Sequence, residues 1–299
     1  MFDQNSSKNL VPATKRPLHS QKRKQLEQLY LQDTSGQKQT TQKKDASLLQ
    51  EVLDLAKQHG ISTTFTDKGY LNNLTDNKPH QGVVLKATLK DTIELNHLSA
   101  IHSDHYEAIP KLNKRGSEKD RQLNASQPPL PLSLQKPLQR MPFWLALDEV
   151  QDPQNLGSIM RTAHFFGVDG VVLCSKNSAP LSPAVSKVSS GAIEVMDIYS
   201  TTNLVKFLKE SNQNGWQVVG AVGDANASIQ LTEFQSSCEK PTILVLGNEG
   251  SGLRTNVKTA CDQFVSITNK TPTNDRFNGS VDSLNVGVAA GILIATALS

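Results

Sequence analysis

From Phe143 onward, strand-length apolar runs alternate with helical patterns, and few folds accept that order. The runs are Phe143 to Val150, Val168 to Cys174, Ala192 to Tyr199, Trp216 to Val222, Thr242 to Leu246 and Phe264 to Ile267. Between them, apolar residues recur at helical spacing near Leu156 to Phe166, Pro183 to Ser190, Leu204 to Ser211 and Arg254 to Cys261. Strands joined through helices lie parallel, so the expected fold is α/β with a mostly parallel sheet covered by helices. Ligands of such sheets bind beyond the carboxyl ends of the strands, which directs attention to the loops that follow them.

The rest of the 299 residues divides by pattern. Residues 1–14 read as a flexible basic tail, 15–89 as a small α/β domain, 90–140 as a linker and 141–299 as the larger domain. The small domain is legible from Asp45 onward. Leu48, Leu49, Val52, Leu55 and Ala56 form a helical stripe that Gly60 closes, Ile61 to Thr66 reads as a strand and Lys68 to Leu74 as a short helix. His80-Gln81-Gly82 then leads into the β-branched run Val83-Val84-Leu85. Past Leu89 the apolar period fades and Pro128, Pro129, Pro131 and Pro137 cluster, hence the linker, with a short helix near its start.

The net charge of +3 decides little, but between Lys8 and Lys44 basic residues far outnumber the two acids, Glu27 and Asp33. Such an arm suits a nucleic acid and equally suits a solvated tail. Cys174, Cys238 and Cys261 are odd in number and lack CxxC spacing, which points away from disulfides and zinc and toward a reducing compartment. The apolar stretch Val286 to Leu298 is shorter than the ~20 residues of a membrane span and reads as a buried helix. The N-terminus has no apolar core of a secretory signal. It is basic and rich in Ser and Gln, as mitochondrial presequences are, but carries Asp3 and little amphipathic character.

Three loops carry the chemistry. After the run ending at Leu147 comes a segment in which Leu156, Ile159, Met160, Ala163 and Phe166 make a buried stripe, leaving Gly157, Arg161 and His164 on another face. Arg161 is expected to lean back over the bare Gly157 toward the helix mouth, where anions are favoured; the plainer reading caps the helix with Asn155 and leaves Arg161 in solvent. The strand at Ile243 to Leu246 ends in Gly247-Asn248-Glu249-Gly250-Ser251-Gly252-Leu253. Glycines around one carboxylate let backbone approach a ligand, yet no P-loop lysine follows and the G-x-G-x-x-G dinucleotide fingerprint is missing, which argues against a dehydrogenase. Ser283-Leu284-Asn285-Val286-Gly287 opens the last helix, where Ser283 or Asn285 also reads as an N-cap.

The spacing N-x-G-x-x-x-R-x-A over Asn155 to Ala163, the G-N-E-G-x-G-L segment, and Ser283 to Gly291 resemble, in order, the three motifs of the SpoU (TrmH-like) family of RNA ribose 2′-O-methyltransferases. Gly287 departs from it, standing where a serine is customary. The segment Leu181 to Ala192 is also family-like, and the His80-Gln81-Gly82-Val83 signature resembles the L30e-like substrate-binding domain of such enzymes. Within the family the nearest likeness is to methyltransferases of a guanosine in large-subunit rRNA, mitochondrial and bacterial.

The resemblance implies a trefoil-knotted SPOUT-type domain after the L30e-like domain, a homodimer with active sites at the subunit interface, and S-adenosylmethionine as methyl donor without a metal. It implies catalytic roles for Asn155, Arg161, Glu249, Ser283 and Asn285, and cofactor contacts at Leu246, Gly247, Gly252, Ile267 and Leu284. RNA contacts are implied at His80, Gln81, Arg161 and Lys187. It places the protein in the mitochondrion, otherwise the cytoplasm. Two further departures are expected: a first domain starting late, near Lys15-Arg16-Pro17, without the family's opening strand and helix, as either a truncated or a degenerate start would give; and a long loop between Ile267 and Ser283 whose Lys270, Arg276 and Asn278 read as RNA contacts or as a surface insert. Competing readings are a tRNA ribose methyltransferase of the same family and a non-catalytic RNA-binding or ribosome-assembly factor on the same fold.

Overall fold

The computed structural model describes residues 25–33, 43–103, 105–111, 129–133, 140–223, 228–269 and 283–298. The tail at 1–14 and the loop residues Lys270, Arg276 and Asn278 lie outside them. The described residues fall into two compact units, one within Lys22–Asp91 and one within Thr92–Ser299.

The smaller unit runs β1 (Leu26–Gln32), α1 (Lys43–Gln58), β2 (Ser62–Thr66), α2 (Lys68–Leu74) and β3 (Val83–Ala87). Strand β1 is central, parallel to β2 and antiparallel to β3. Leu29 and Leu31 are buried and pack with Val52, Leu53 and Ala56 of α1. The reading that the domain becomes legible only at Asp45, with no strand ahead of the helix, is therefore corrected. The Leu-x-Leu alternation of β1 lies inside the basic stretch, and charge on the flanks obscured it.

The larger unit contains β4 (Ile93–Leu98), β5 (His105–Pro110), β6 (Leu130–Ser133), β7 (Phe143–Leu147), α3 (Pro153–Phe166), β8 (Gly170–Cys174), α4 (Pro183–Val188), α5 (Ala192–Val195) and β9 (Ile198–Thr201). It continues through α6 (Leu204–Gln213), β10 (Gln217–Ala221), α7 (Leu231–Ser237), β11 (Thr242–Leu246), α8 (Thr255–Lys258), β12 (Gln263–Val265) and α9 (Val286–Leu298). One sheet holds its strands in the order β12-β10-β11-β7-β8-β9-β4-β5-β6. Neighbours are parallel from β12 to β4, and antiparallel from β4 to β5 and β5 to β6.

Residues 90–140 are thus not a plain linker: β4, β5 and β6 extend the sheet, and the helix expected near the start of that stretch is strand β4. Leu95, Leu98, Tyr106 and Ala108 are buried in the core. The prolines misled because Pro131 sits in β6, which pairs with β5 alone, and an edge strand tolerates a residue that cannot donate. The run Ala192 to Tyr199 likewise splits into α5 and β9; a continuous apolar run does not reveal its period. Helix α7, absent from the sequence reading, starts where the Gln230 N–H donates to the Glu233 carboxylate at 3.3 Å.

Alternate residues of β7 and β11 serve two cores, as a sheet covered on both faces requires. Phe143, Leu145, Leu147, Leu244 and Leu246 pack with α3, α7 and α9. Trp144, Ala146, Ile243 and Val245 pack with α6, α8 and β4. Trp144 is fully buried and donates to Tyr106 Oη at 2.9 Å, and Gly170 leaves room for it, since a Cβ there would stand 2.6 Å from the indole. From β7 the chain crosses to one face through α3, and from the adjacent β11 to the other through α8. That reversal makes the loops after β7 and β11 the switch point at which α/β sheets bind ligands. Among the described residues no helix is long and apolar enough to cross a membrane.

Candidate active site

The loop after β7 begins with Asp148, fully buried, and Glu149, whose φ of +60° is unusual for a residue with a side chain. It ends at Asp152, which caps α3 by accepting the Gln154 N–H at 2.9 Å, with Pro153 at the first helical position. Asn155 is therefore not the cap; it lies buried in the first turn. Gly157 is also buried, although the sequence set it with Arg161 and His164 apart from the buried stripe. A Cβ on it would stand 2.6 Å from Val188 Cβ, so the glycine lets α4 seat against α3.

The loop after β11 folds on itself. Asn248 and Gly252 exchange two backbone hydrogen bonds of 3.0 Å, and Gly252 adopts φ +67°. Gly247 faces this return so closely that a Cβ would stand 2.3 Å from Gly252 C and 2.5 Å from Leu253 N. Asn248, which sequence reasoning passed over, organises the turn. Its Oδ1 accepts from Gly250 N at 2.9 Å and Ser251 N at 3.1 Å, and its Nδ2 donates to the Glu149 carbonyl at 3.0 Å. Asp148 and Arg254 were passed over as well. The guanidinium donates Nε to Asp148 Oδ1 at 2.8 Å and meets Glu149 Oε1 at 3.0 Å. Neither pairing leaves a local motif, since the partners are about a hundred residues apart.

The three loops meet through side-chain amides. Asn285 Nδ2 donates to Asn155 Oδ1 at 2.9 Å, and Asn155 Nδ2 donates to Glu249 Oε1 at 3.2 Å. Glu249 also accepts the N–H groups of Asp152 at 3.1 Å and Gln151 at 3.4 Å. Burial pushes the Glu249 carboxyl up, but its own backbone N–H, those of Asp152 and Gln151, and the Asn155 amide outweigh that and hold it below the usual carboxylate value. Asn285 Oδ1 accepts from Gly287 N at 2.9 Å and Val288 N at 3.3 Å, capping α9. Where the family pattern has serine, Gly287 faces α3: a Cβ would stand 3.2 Å from Ser158 Oγ.

A cavity of about 290 Å³ opens beside this chain, near the lower end of the range for small-molecule sites. Leu246, Gly247, Gly252, Ile267 and Leu284 all line it, as do Glu249 and Ser283. Its wall also includes Ala221, Val222 and Gly223 after β10, and Val286, Ala289 and Leu293 of α9. No motif marked the β10 end, because its contribution is backbone and small apolar side chains. Asn155, Arg161 and Asn285 are not in the wall. Arg161 is exposed on α3 and makes no hydrogen bond or ion pair with a described residue. Lys187 is exposed in the last turn of α4, beside the Val188 that seats on Gly157.

In the smaller unit His80 spends both ring nitrogens internally. Nε2 meets Asn72 Oδ1 at 2.9 Å and Nδ1 accepts Gly82 N–H at 3.0 Å, so His80 shapes the turn that displays the exposed Gln81 at φ +51°. Among the described residues no group of three or more His, Cys, Asp or Glu side chains is placed to hold a metal ion.

Fold and cavity define an α/β protein with a small-ligand site at the carboxyl ends of parallel strands, bordered by a polar amide chain. The chain belongs to the SpoU rRNA Methylase family, which matches residues 142–295, and residues 18–92 match the RNA 2′-O ribose methyltransferase substrate binding domain. It is 36% identical over 261 residues to "rRNA methyltransferase 1, mitochondrial" of Dictyostelium discoideum, covering 86% of this chain and 46% of that protein. The protein of that name from Homo sapiens is 46% identical over 51% of this chain and 44% of its own length. The one from Schizosaccharomyces pombe is 36% identical over 79% of this chain and 74% of its own. The chain thus spans less than half the length of the first two relatives. Among solved structures, the AdoMet-bound rRNA methyltransferase from Sinorhizobium meliloti shares the fold, with a TM-score of 0.60 at 20% identity over 91% of this chain and 79% of that one.

Proposed function

We propose that this protein transfers a methyl group from S-adenosylmethionine to a ribose 2′-hydroxyl of RNA, a guanosine in mitochondrial large-subunit rRNA. The observation that carries this reading is the hydrogen-bonded chain Asn285–Asn155–Glu249, which joins the three motif loops at the rim of the cavity. The names of the matched relatives and the second matched domain support RNA as substrate.

The cavity suits an adenosyl group. Leu246, Ile267 and Leu284 supply apolar walls, and Gly247 brings backbone where a side chain has no room. When bound, the cofactor supplies a methyl group made electrophilic by its sulfonium. What remains for the protein is to align the ribose oxygen and stabilise its charge as its proton passes to solvent water, with S-adenosylhomocysteine as the leaving product. Glu249 is spent on two backbone N–H groups and the Asn155 amide, which makes it a brace of the site and not a base. Arg161, whose planar guanidinium offers donors and no acceptor, stabilises the developing 2′-oxyanion and the adjoining phosphate. Ser283 and Asn285 orient the ribose. Gln81 and Lys187 contact RNA, with His80 holding the turn behind Gln81.

A homodimer and a trefoil-knotted chain complete the reading. Helix α9 is apolar but for Thr296, yet Val288 is 53% exposed and Leu284 just before it 48%, and Phe165 on α3 is 81% exposed. Apolar surface of that kind suits a second copy of the chain. Mapping 2′-O-methylation in large-subunit rRNA and tRNA from cells with and without the gene tests the function. Loss at an rRNA guanosine is expected; loss confined to tRNA moves the substrate, and no loss in either overturns the reading. For Arg161, the Arg161→Lys and Arg161→Ala variants are expected to lose about 100-fold or more in rate with saturating RNA, and rates within a few-fold of the parent would remove its assigned role.

A further inference from the structure

The loop Gly247 to Leu253 is tied to the end of β7 at two points. At its start, Asn248 Nδ2 donates to the Glu149 carbonyl at 3.0 Å. At its end, Arg254 meets the fully buried Asp148 through three donors: Nε at 2.8 Å, Nη2 at 2.6 Å and its own backbone N–H at 3.1 Å. The other side of the guanidinium meets Glu149 Oε1 at 3.0 Å, and Glu149 holds a left-handed φ of +60° while also accepting from Asn177 at 3.3 Å. A non-glycine backbone kept in that conformation is held there by its surroundings.

These contacts bear on the cavity and not only on the core. Arg254 follows Leu253, which is buried against Gly220 of β10, where Leu253 Cδ1 lies 2.9 Å from the position of a Cβ. The next residues of that strand, Ala221, Val222 and Gly223, line one wall of the cavity, and Gly247, Asn248 and Gly252 line another. The shape of the wall therefore depends on where the loop's exit is anchored.

We infer that Arg254, gripped by Asp148 and Glu149, is a positioning residue that sets the shape of the cofactor loop, acting through Asn248 and Leu253 and touching no reactant. This rests on the reading of the cavity as the S-adenosylmethionine site. A bidentate, planar guanidinium is required for the grip, so Arg254→Lys keeps the charge and loses the geometry.

The test is isothermal titration of the full chain with S-adenosylhomocysteine, with thermal midpoints measured in parallel on the parent, Arg254→Lys, and the double variant Asp148→Asn, Arg254→Met. The double variant removes the buried charge together with its partner, which spares stability in many proteins. Expected is a Kd raised about 10- to 100-fold in Arg254→Lys, as for loss of a charge-assisted hydrogen bond. The double variant is expected to keep a midpoint near the parent's and still bind at least ~10-fold more weakly. Parent-like affinity in either variant overturns the inference and leaves the proposed function standing. A parent chain that does not bind overturns the cofactor reading itself.

Discussion

Gly247→Ala probes the cavity wall most directly. The added Cβ would stand 2.3 Å from Gly252 C, 2.5 Å from Gly252 O and 2.5 Å from Leu253 N, all of them backbone atoms. Carbon atoms in ordinary contact stay ~3.5 Å or more apart, so the returning arm must retreat by about 1 Å or more. That stretches both 3.0 Å bonds between Asn248 and Gly252 past the useful limit of ~3.5 Å. Two such bonds at ~0.5–1.5 kcal/mol each, with ~1–3 kcal/mol for overpacking, give about 2–6 kcal/mol. The loss divides between stability and ligand affinity, and each ~1.4 kcal/mol on the binding side is tenfold in Kd. Gly250→Ala is the control, since a Cβ there meets only Asn248 Oδ1 at 3.6 Å, an ordinary contact. Urea unfolding and titration with S-adenosylhomocysteine should therefore separate the two variants. If Gly247→Ala matches Gly250→Ala in both, the close approach of the loop to its own return is not what shapes the wall.

Gly157→Ala should cost about 1–3 kcal/mol by pressing on Val188, and Val188→Ala in the same chain should recover part of it, as a double-mutant cycle by denaturant titration would reveal. Because the Glu249 carboxyl is held below its usual value of 4.5, the stability it contributes is full above that pH and is lost as pH falls through the lowered folded value. Glu249→Gln should accordingly flatten the acid side of the stability profile, and an unchanged acid limb would argue that its hydrogen bonds do not persist in solution. Burial pushes the Cys238 thiol up to about 11, and burial with the Asp262 and Asp148 carboxylates pushes Cys261 up to about 12. At pH near 8 a thiol reagent should label both at least ~100-fold more slowly in the folded chain than in urea, since only the thiolate reacts; comparable rates would contradict the burial.

Much of the larger unit was legible because its signals are local. The stripe of α3, the run of β11 and the glycines around Glu249 each declare themselves within about ten residues. Strands β4, β5 and β6 did not: β4 and β5 bury only part of their residues and so carry no long apolar run, and β6, at the sheet edge, accepts Pro131. Strand β1 was hidden for the opposite reason: two buried leucines are a weak signal beside so much charge.

The candidate site divides in the same way. The residue types came from sequence: a carboxylate among glycines, an arginine two turns into a helix, an asparagine opening the last one. Which of them touch was decided by the fold alone. Asn155 stands 94 residues from Glu249 and 130 from Asn285, and the three meet only because β7 and β11 are neighbours in the sheet and α9 packs on α3. The fold also buried Gly157, set the Glu249 carboxylate against the Asp152 and Gln151 N–H groups and the Asn155 amide, and supplied Asn248, Asp148 and Arg254. Local pattern reports what one segment prefers. A hydrogen bond between residues about a hundred positions apart exists only once the sheet has set their distance, and that is a property of the packing.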